Sequence, residues 1–139
     1  MITFAVCDDE PLMAQELARH LADYMKAGPI TAYSVSSFSD GRALLDRIGK
    51  FDVIFLDIRM EQPDGMETAR LLRQRGDHSL LIFVTVLKEC VFDSFQVEAF
   101  DYLLKPLNSA RFDQTMDRVL RFLEQRTAED IVIQRGPGC

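Results

Sequence analysis

Five short runs of apolar, β-branched or aromatic residues punctuate the chain, at positions 3–7, 31–35, 53–56, 80–85 and 102–104. Their starts fall roughly 20 to 30 residues apart, the length of a strand plus a crossover helix. The stretches between them repeat with helical spacing. Ala14, Leu17, Leu21 and Tyr24 form one stripe, and Ala69 with Leu72 and the neighbouring Leu71 another. Past the fifth run, Phe112, Met116, Val119, Leu120 and Leu123 continue the pattern for about three turns. Ser39-Asp40 predicts a helix start before Ala43, Leu44 and Ile48, and Asn108-Ser109 one before the last helix.

The runs at 53–56 and 80–84 are apolar throughout, as strands covered by helices on both faces are. The run at 31–35 alternates with polar residues, as an edge strand does. Five βα units in this order predict an α/β fold. It is a flavodoxin-like, doubly wound, five-stranded parallel sheet with strand order 2-1-3-4-5. Ligands of such sheets bind beyond the carboxyl ends of the strands.

At 139 residues, with 47% hydrophobic and 27% charged positions, the composition suits one globular domain and neither disorder nor a membrane span. Sixteen basic against 22 acidic residues leave a net charge of −6, which argues against non-specific nucleic-acid binding by this chain. Cys7, Cys90 and Cys139 are too few and too scattered for a disulfide framework or a zinc site, and point to a reducing cytoplasm. Cys7 is expected as a small buried hydrophobe. His20 and His78 have no orienting partner in sequence and carry no assigned role.

The strand ends carry the chemistry. Run one ends in Asp8-Asp9-Glu10 and run three in Asp57, so these carboxylates converge. Two unit charges about 4 Å apart repel by roughly 4 kcal/mol at an effective dielectric near 20. Such a cluster needs a cation or a raised pKa, and oxygen-only ligands favour a hard ion such as Mg²⁺. A solvated acidic loop would fit the tripeptide as well and stays open on these residues alone. Thr85 and Lys105-Pro106 end runs four and five. They add a hydroxyl and an ammonium, both suited to an anionic phosphoryl group.

Cys7-Asp8-Asp9-Glu10, Phe55-Leu56-Asp57-Ile58-Arg59-Met60, Asp64-Gly65, Thr85 and Ala99-Phe100-Asp101-Tyr102-Leu103-Leu104-Lys105-Pro106 together resemble the receiver domain of two-component response regulators. The spacings of 48 positions from Asp9 to Asp57, 28 to Thr85 and 20 to Lys105 suit that family. The phrase at 100–106 is similar to the LytTR-type branch.

The resemblance implies that Asp57 is the phosphoacceptor. It makes Asp8, Asp9, Asp57 and the carbonyl of Arg59 the Mg²⁺ ligands, and Thr85 and Lys105 the phosphoryl-binding residues. Thr85 and Tyr102 become a switch pair, and the peptide between Lys105 and Pro106 is expected to be cis. It further implies a sensor histidine kinase as partner, self-association on phosphorylation, and a signalling switch that catalyses only its own phosphoryl transfer and dephosphorylation. DNA would be reached only through a C-terminal domain absent here. Residues 1–126 would form the receiver, and 127–139 a linker or the start of that domain, with Ile131-Val132-Ile133 opening a strand.

Two positions depart from the family pattern. Glu61 follows Met60 where proline is usual, with the proline at Pro63, and the branched Val86 follows Thr85. Val86 is expected at the mouth of the crevice as a gate. Val91, Phe92 and Phe95 read as a helix face against the sheet, with a partner surface as the alternative. Two other functions compete. A haloacid-dehalogenase-like phosphatase wants a carboxylate two residues after its nucleophile, where this chain has Arg59. An interaction module working without phosphorylation would not need the set Asp8, Asp9, Asp57, Thr85 and Lys105. A dinucleotide-binding domain lacks its Gly-rich turn after run one.

Overall fold

The computed structural model describes residues 1–30 and 32–135, with side chains as far as residue 126. In chain order the elements are β1 (Ile2–Cys7), α1 (Pro11–Ala27), β2 (Tyr33–Phe38), α2 (Gly41–Leu45), β3 (Val53–Leu56), α3 (Gly65–Gln74), β4 (Leu80–Thr85), α4 (Val91–Gln96), β5 (Asp101–Leu104) and α5 (Ser109–Arg135). The five strands are parallel and ordered β2-β1-β3-β4-β5. This is the expected doubly wound sheet.

Alternation along each strand sorts the apolar residues into two cores. Phe4, Val6, Val53, Phe55, Ile82 and Val84 face Leu17 and Leu21 of α1 and Phe112, Met116 and Val119 of α5. Ala5, Cys7, Ile54, Leu56, Leu81 and Phe83 face Leu44 of α2 and Met66, Ala69 and Leu72 of α3. Every position of β3 and β4 is buried, which is why those runs carry no polar residue before their ends. The rings of Phe4, Phe55 and Phe112 stack in series, with centroids 6.3 and 5.8 Å apart. Burying each such side chain contributes about 1.5–3 kcal/mol.

Both expected helix starts are capped. The Asp40 carboxylate accepts from the Ala43 amide at 2.7 Å, and the Asn108 side-chain oxygen from the Arg111 amide at 3.0 Å. Asp64 does the same for α3 through the Glu67 amide.

Four expectations need correction. The second strand is Tyr33–Phe38, not 31–35; Thr31 lies outside the described residues. The register pairs Ile2 with Tyr33 and Cys7 with Phe38, so the strand runs on through three serines to Phe38, which packs edge-on against Phe51. Residues 131–133 are helical, not a strand. Extending a helix already formed adds one hydrogen bond per residue fixed, which outweighs the small cost of β-branched side chains. The second helix stops at Leu45, short of Ile48. Finally, α4 does not press Val91, Phe92 and Phe95 on the sheet: it buries only Ser94, and Phe92 is 83% and Phe95 69% exposed. Among the described residues no helix is long and apolar enough to cross a membrane.

Candidate functional site

The backbone ladder continues one step past the sheet and aims the site. The Asp57 amide donates to the Cys7 carbonyl at 3.0 Å and the Lys105 amide to the Thr85 carbonyl at 2.9 Å. Asp8 and Asp57 are thereby held side by side in buried positions, while Asp9 and Glu10 face solvent. Carboxylate oxygens of all four lie within 4.8 Å of one another. Glu10 belongs to this group geometrically, though the sequence reading assigned it no ligand role.

Lys105 closes the cluster from β5. Its Nζ stands 2.8 Å from Oδ2 of Asp8 and 3.0 Å from Oδ2 of Asp57. The other oxygen of each is met by a main-chain amide: Glu10 at 2.9 Å for Asp8, Arg59 at 3.2 Å for Asp57. Burial pushes the Asp8 carboxyl up, against the hydrogen bonds from Lys105 and the Glu10 amide. Burial would lower Lys105, but its hydrogen bonds to Asp8 and Asp57 and their charges raise it. Cys7, beneath the cluster, is pushed up to about 12 by burial first and then by Asp40 and Asp8. It is the inert buried thiol its position suggested.

Asp57, Lys105 and Val86 line an open crevice of about 510 Å³ together with Asp9, Arg59 and Glu61. Val86 is 49% exposed there, whereas Thr85 is fully buried. The Thr85 hydroxyl accepts from the Leu87 amide at 3.4 Å, and the Tyr102 hydroxyl donates to the Leu87 carbonyl. The two residues expected as a switch therefore hold the same residue, one at its amide and the other at its carbonyl. Tyr102 also packs on Phe83, 5.9 Å between centroids, and its phenol is pushed up to about 12 by burial, then by Cys90 and Glu89. The peptide between Lys105 and Pro106 is cis, as is that between Gln62 and Pro63.

The loop that carries Asp57 is folded back on itself. The amides of Met60 and Gly65 both donate to the Ile58 carbonyl at 2.9 Å. Pro63 sits two places later than the family pattern places its proline, yet the loop still closes on Gly65.

Sequence reasoning missed residues around the site. Leu87 acts through its own amide and carbonyl, and no letter pattern announces such bonds. Asp101 anchors the start of β5 to α5 through Arg111 at 2.8 Å, Arg118 at 3.1 Å and the Thr115 hydroxyl at 2.6 Å. A carboxylate ten residues before an arginine was visible, but nothing marked it as paired.

The profile of the response regulator receiver domain matches residues 4–117. The chain belongs to the response regulator receiver family. Its five-stranded parallel sheet, ordered β2-β1-β3-β4-β5, is the receiver fold. An uncharacterised response regulatory protein of Vibrio cholerae is 38% identical over 128 residues, 91% of this chain and 48% of that protein. The positive alginate biosynthesis regulatory protein of Pseudomonas aeruginosa is 34% identical over 116 residues, 84% of this chain and 46% of that protein. Among solved structures, the response regulatory domain of protein mrkE from Klebsiella pneumoniae superposes with a TM-score of 0.78 at 30% identity, over 89% of this chain and 99% of that one. The chain spans about half the length of the curated relatives it matches.

Proposed function

We propose that this receiver accepts a phosphoryl group on Asp57 from a phosphohistidine of a sensor kinase and switches conformation in response. One observation carries the reading: Asp57 is buried at a strand end with the Lys105 ammonium 3.0 Å from one of its oxygens and the carboxylates of Asp8, Asp9 and Glu10 within 4.8 Å. An Asp57 oxygen attacks phosphorus, the P–N bond to the imidazole breaks, and the imidazole nitrogen takes a proton. Lys105 follows the charge onto the transferred group, holding a phosphoryl oxygen where it now holds carboxylates.

The donor set fits Mg²⁺, since it offers carboxylates and a carbonyl and no nitrogen or sulfur. Asp8, Asp9, Asp57 and the Arg59 carbonyl would hold the ion. Its chemistry there is neutralisation of charge on the phosphoryl oxygens. Thr85 would leave the Leu87 amide for a phosphoryl oxygen, and Tyr102 would turn inward behind it. Because Leu87 connects both to α4, the exposed Val91, Phe92 and Phe95 are the surface that answers, by self-association. Val86 would restrict the path of water to phosphorus.

The phrase at 100–106 supports a cytoplasmic regulator with a LytTR-type DNA-binding output, consistent with the alginate regulator among the relatives. The test is intact mass after incubation with acetyl phosphate and Mg²⁺. Wild type gains one phosphoryl group and Asp57→Asn gains none; a gain that persists in Asp57→Asn sinks the reading.

A further inference from the structure

Arg73, in the last turn of α3, points away from the phosphoryl site and spends its guanidinium on main-chain oxygens. Nε donates to the Val97 carbonyl at 2.7 Å and Nη2 to that of Glu98 at 3.2 Å. Nη1 donates to the carbonyls of Asp77 and Ser79, both at 2.9 Å. The four acceptors belong to two segments: the exit of α4 and the turn that leads into β4.

The exit of α4 needs such a partner. The Glu98 and Ala99 amides already meet the Phe95 and Ser94 carbonyls, but those of Val97 and Glu98, just past the helix, fall to Arg73 at an end where α4 has no basic residue of its own. Val97, its C-terminal cap, is buried, and Glu98 takes a left-handed conformation with φ of 53°. Both features mark a chain held in place. The other end of α4 is different. Cys90, at its N-cap, makes no side-chain capping bond, and the loop before it is held by Thr85 and Tyr102 at Leu87. One end of this helix is fastened to the scaffold and the other to the switch side chains.

We propose that Arg73 is the pin about which α4 turns. The proposal rests on reading Thr85 and Tyr102 as a switch, and it adds which end of the helix moves. When Leu87 is released, the displacement is a rotation about Val97 and Glu98, largest at Val91 and Phe92 and smallest at Gln96. Six residues at about 1.5 Å rise span about 9 Å, so a tilt of about 20° carries the free end about 3 Å. A guanidinium suits the role because its planar fork reaches two segments at once, which an ammonium on a single point does not.

The test is residue-resolved amide hydrogen exchange and backbone chemical shifts on the whole chain, for wild type, Arg73→Met and Arg73→Lys. Each is measured alone and with beryllofluoride plus Mg²⁺. The amides of Glu98 and Ala99, bonded to the carbonyls of Phe95 and Ser94 at 3.1 Å, report the pinned end. Without the mimic, both variants exchange roughly ten-fold faster or more at Glu98 and Ala99, and amides of β4 and α3 keep wild-type rates. With the mimic, wild-type shifts change at Leu87 and Val91 and stay fixed at Glu98 and Ala99.

Equal exchange at Glu98 and Ala99 in all three proteins overturns the pin. So does a rise spread evenly over β4, α3 and α4, which is a loss of global stability alone. Mimic-induced shifts at Glu98 as large as those at Leu87 overturn it as well. If Arg73→Met does not fold, Arg73→Lys carries the same comparison. A mimic that leaves Thr85 and Lys105 unshifted sinks the phosphoryl-acceptor reading instead, and the unliganded comparison still decides the pin.

Discussion

A Cβ placed on Gly65 would stand 2.0 Å from the carbonyl oxygen of Asp57. The next obstacles, the Ile58 Cα at 2.6 Å and the Asp57 carbonyl carbon at 2.7 Å, are backbone as well. No side chain can swing aside to make room. The glycine is needed here for space, because the first turn of α3 lies directly on the loop that presents Asp57.

Gly65→Ala should therefore push the 57–65 loop off its position. Overpacking of this kind costs about 1–3 kcal/mol. Urea unfolding would show the lowered midpoint, and loading from acetyl phosphate would slow with it. A variant with wild-type midpoint and rate would mean the loop has slack.

Asp9 is exposed, so Asp9→Ala should leave stability within about 0.5 kcal/mol of wild type. Loading should nevertheless stop, as it should for wild type in EDTA. Phosphoryl mass gained at the same rate in EDTA would reduce the acidic cluster to a solvated loop.

Val86 stands half exposed in the crevice and, being β-branched, is stiff at χ1. Val86→Ala should shorten the half-life of the phosphorylated state severalfold and speed loading by acetyl phosphate. Blocking an attack position changes rates by up to about 10²-fold. Equal half-lives, or a longer one in the alanine variant, would show that Val86 is no gate.

The apolar face of α4 should drive self-association when beryllofluoride is bound. Replacing both Phe92 and Phe95 by alanine should weaken it by about ten-fold or more, since buried aromatics dominate such contacts. Sedimentation velocity with and without the mimic reads this. The same monomer fraction in both conditions would remove the dimer from the scheme.

Asp101 supplies a pH dependence of stability. Burial would raise its carboxyl, but hydrogen bonds from Arg111, Thr115 and the Tyr102 amide, with the Arg111 charge, hold it below the ordinary carboxylate range. A carboxyl lowered in the folded state stabilises above its unfolded value, near 3.9, and loses that contribution as pH falls through the folded one. Asp101→Asn should cost about 1–3 kcal/mol at pH 7, and the gap from wild type should narrow as pH drops below about 4. Urea melts at pH 3 and 7 with an unchanged gap would show that the charge does not matter.

What could be read in advance divides along physical lines. Buried strands announce themselves, because 53–56 and 80–84 cannot afford a polar residue. The strand ends follow once the sheet is known, so Asp8, Asp57 and Lys105 meet as their positions imply, while the buried Thr85 hydroxyl turns to the Leu87 amide. The edge strand misled, because no position of β2 is fully buried and Ser34, Ser36 and Ser37 can therefore stand in it. Phe92 and Phe95 misled for the opposite reason: aromatic residues at helical spacing usually mark a core, and here they mark an outer face. The bonds of Leu87 and Arg73 to main-chain groups were invisible, since every residue has a carbonyl and only the folded geometry selects one.

The contact between Lys105 and Asp8 joins positions 97 residues apart in the chain. A ribosome adding roughly 5–20 residues per second needs about 5–20 s to travel that distance. For that interval the growing chain carries its acidic cluster without the cation that balances it, and β4 without its neighbour β5. β5 thus brings both the missing edge of the sheet and the missing charge of the site. A truncated or stalled chain ending before Lys105 would keep its acidic cluster without that cation, so synthesis itself separates chains with a balanced site from those without one.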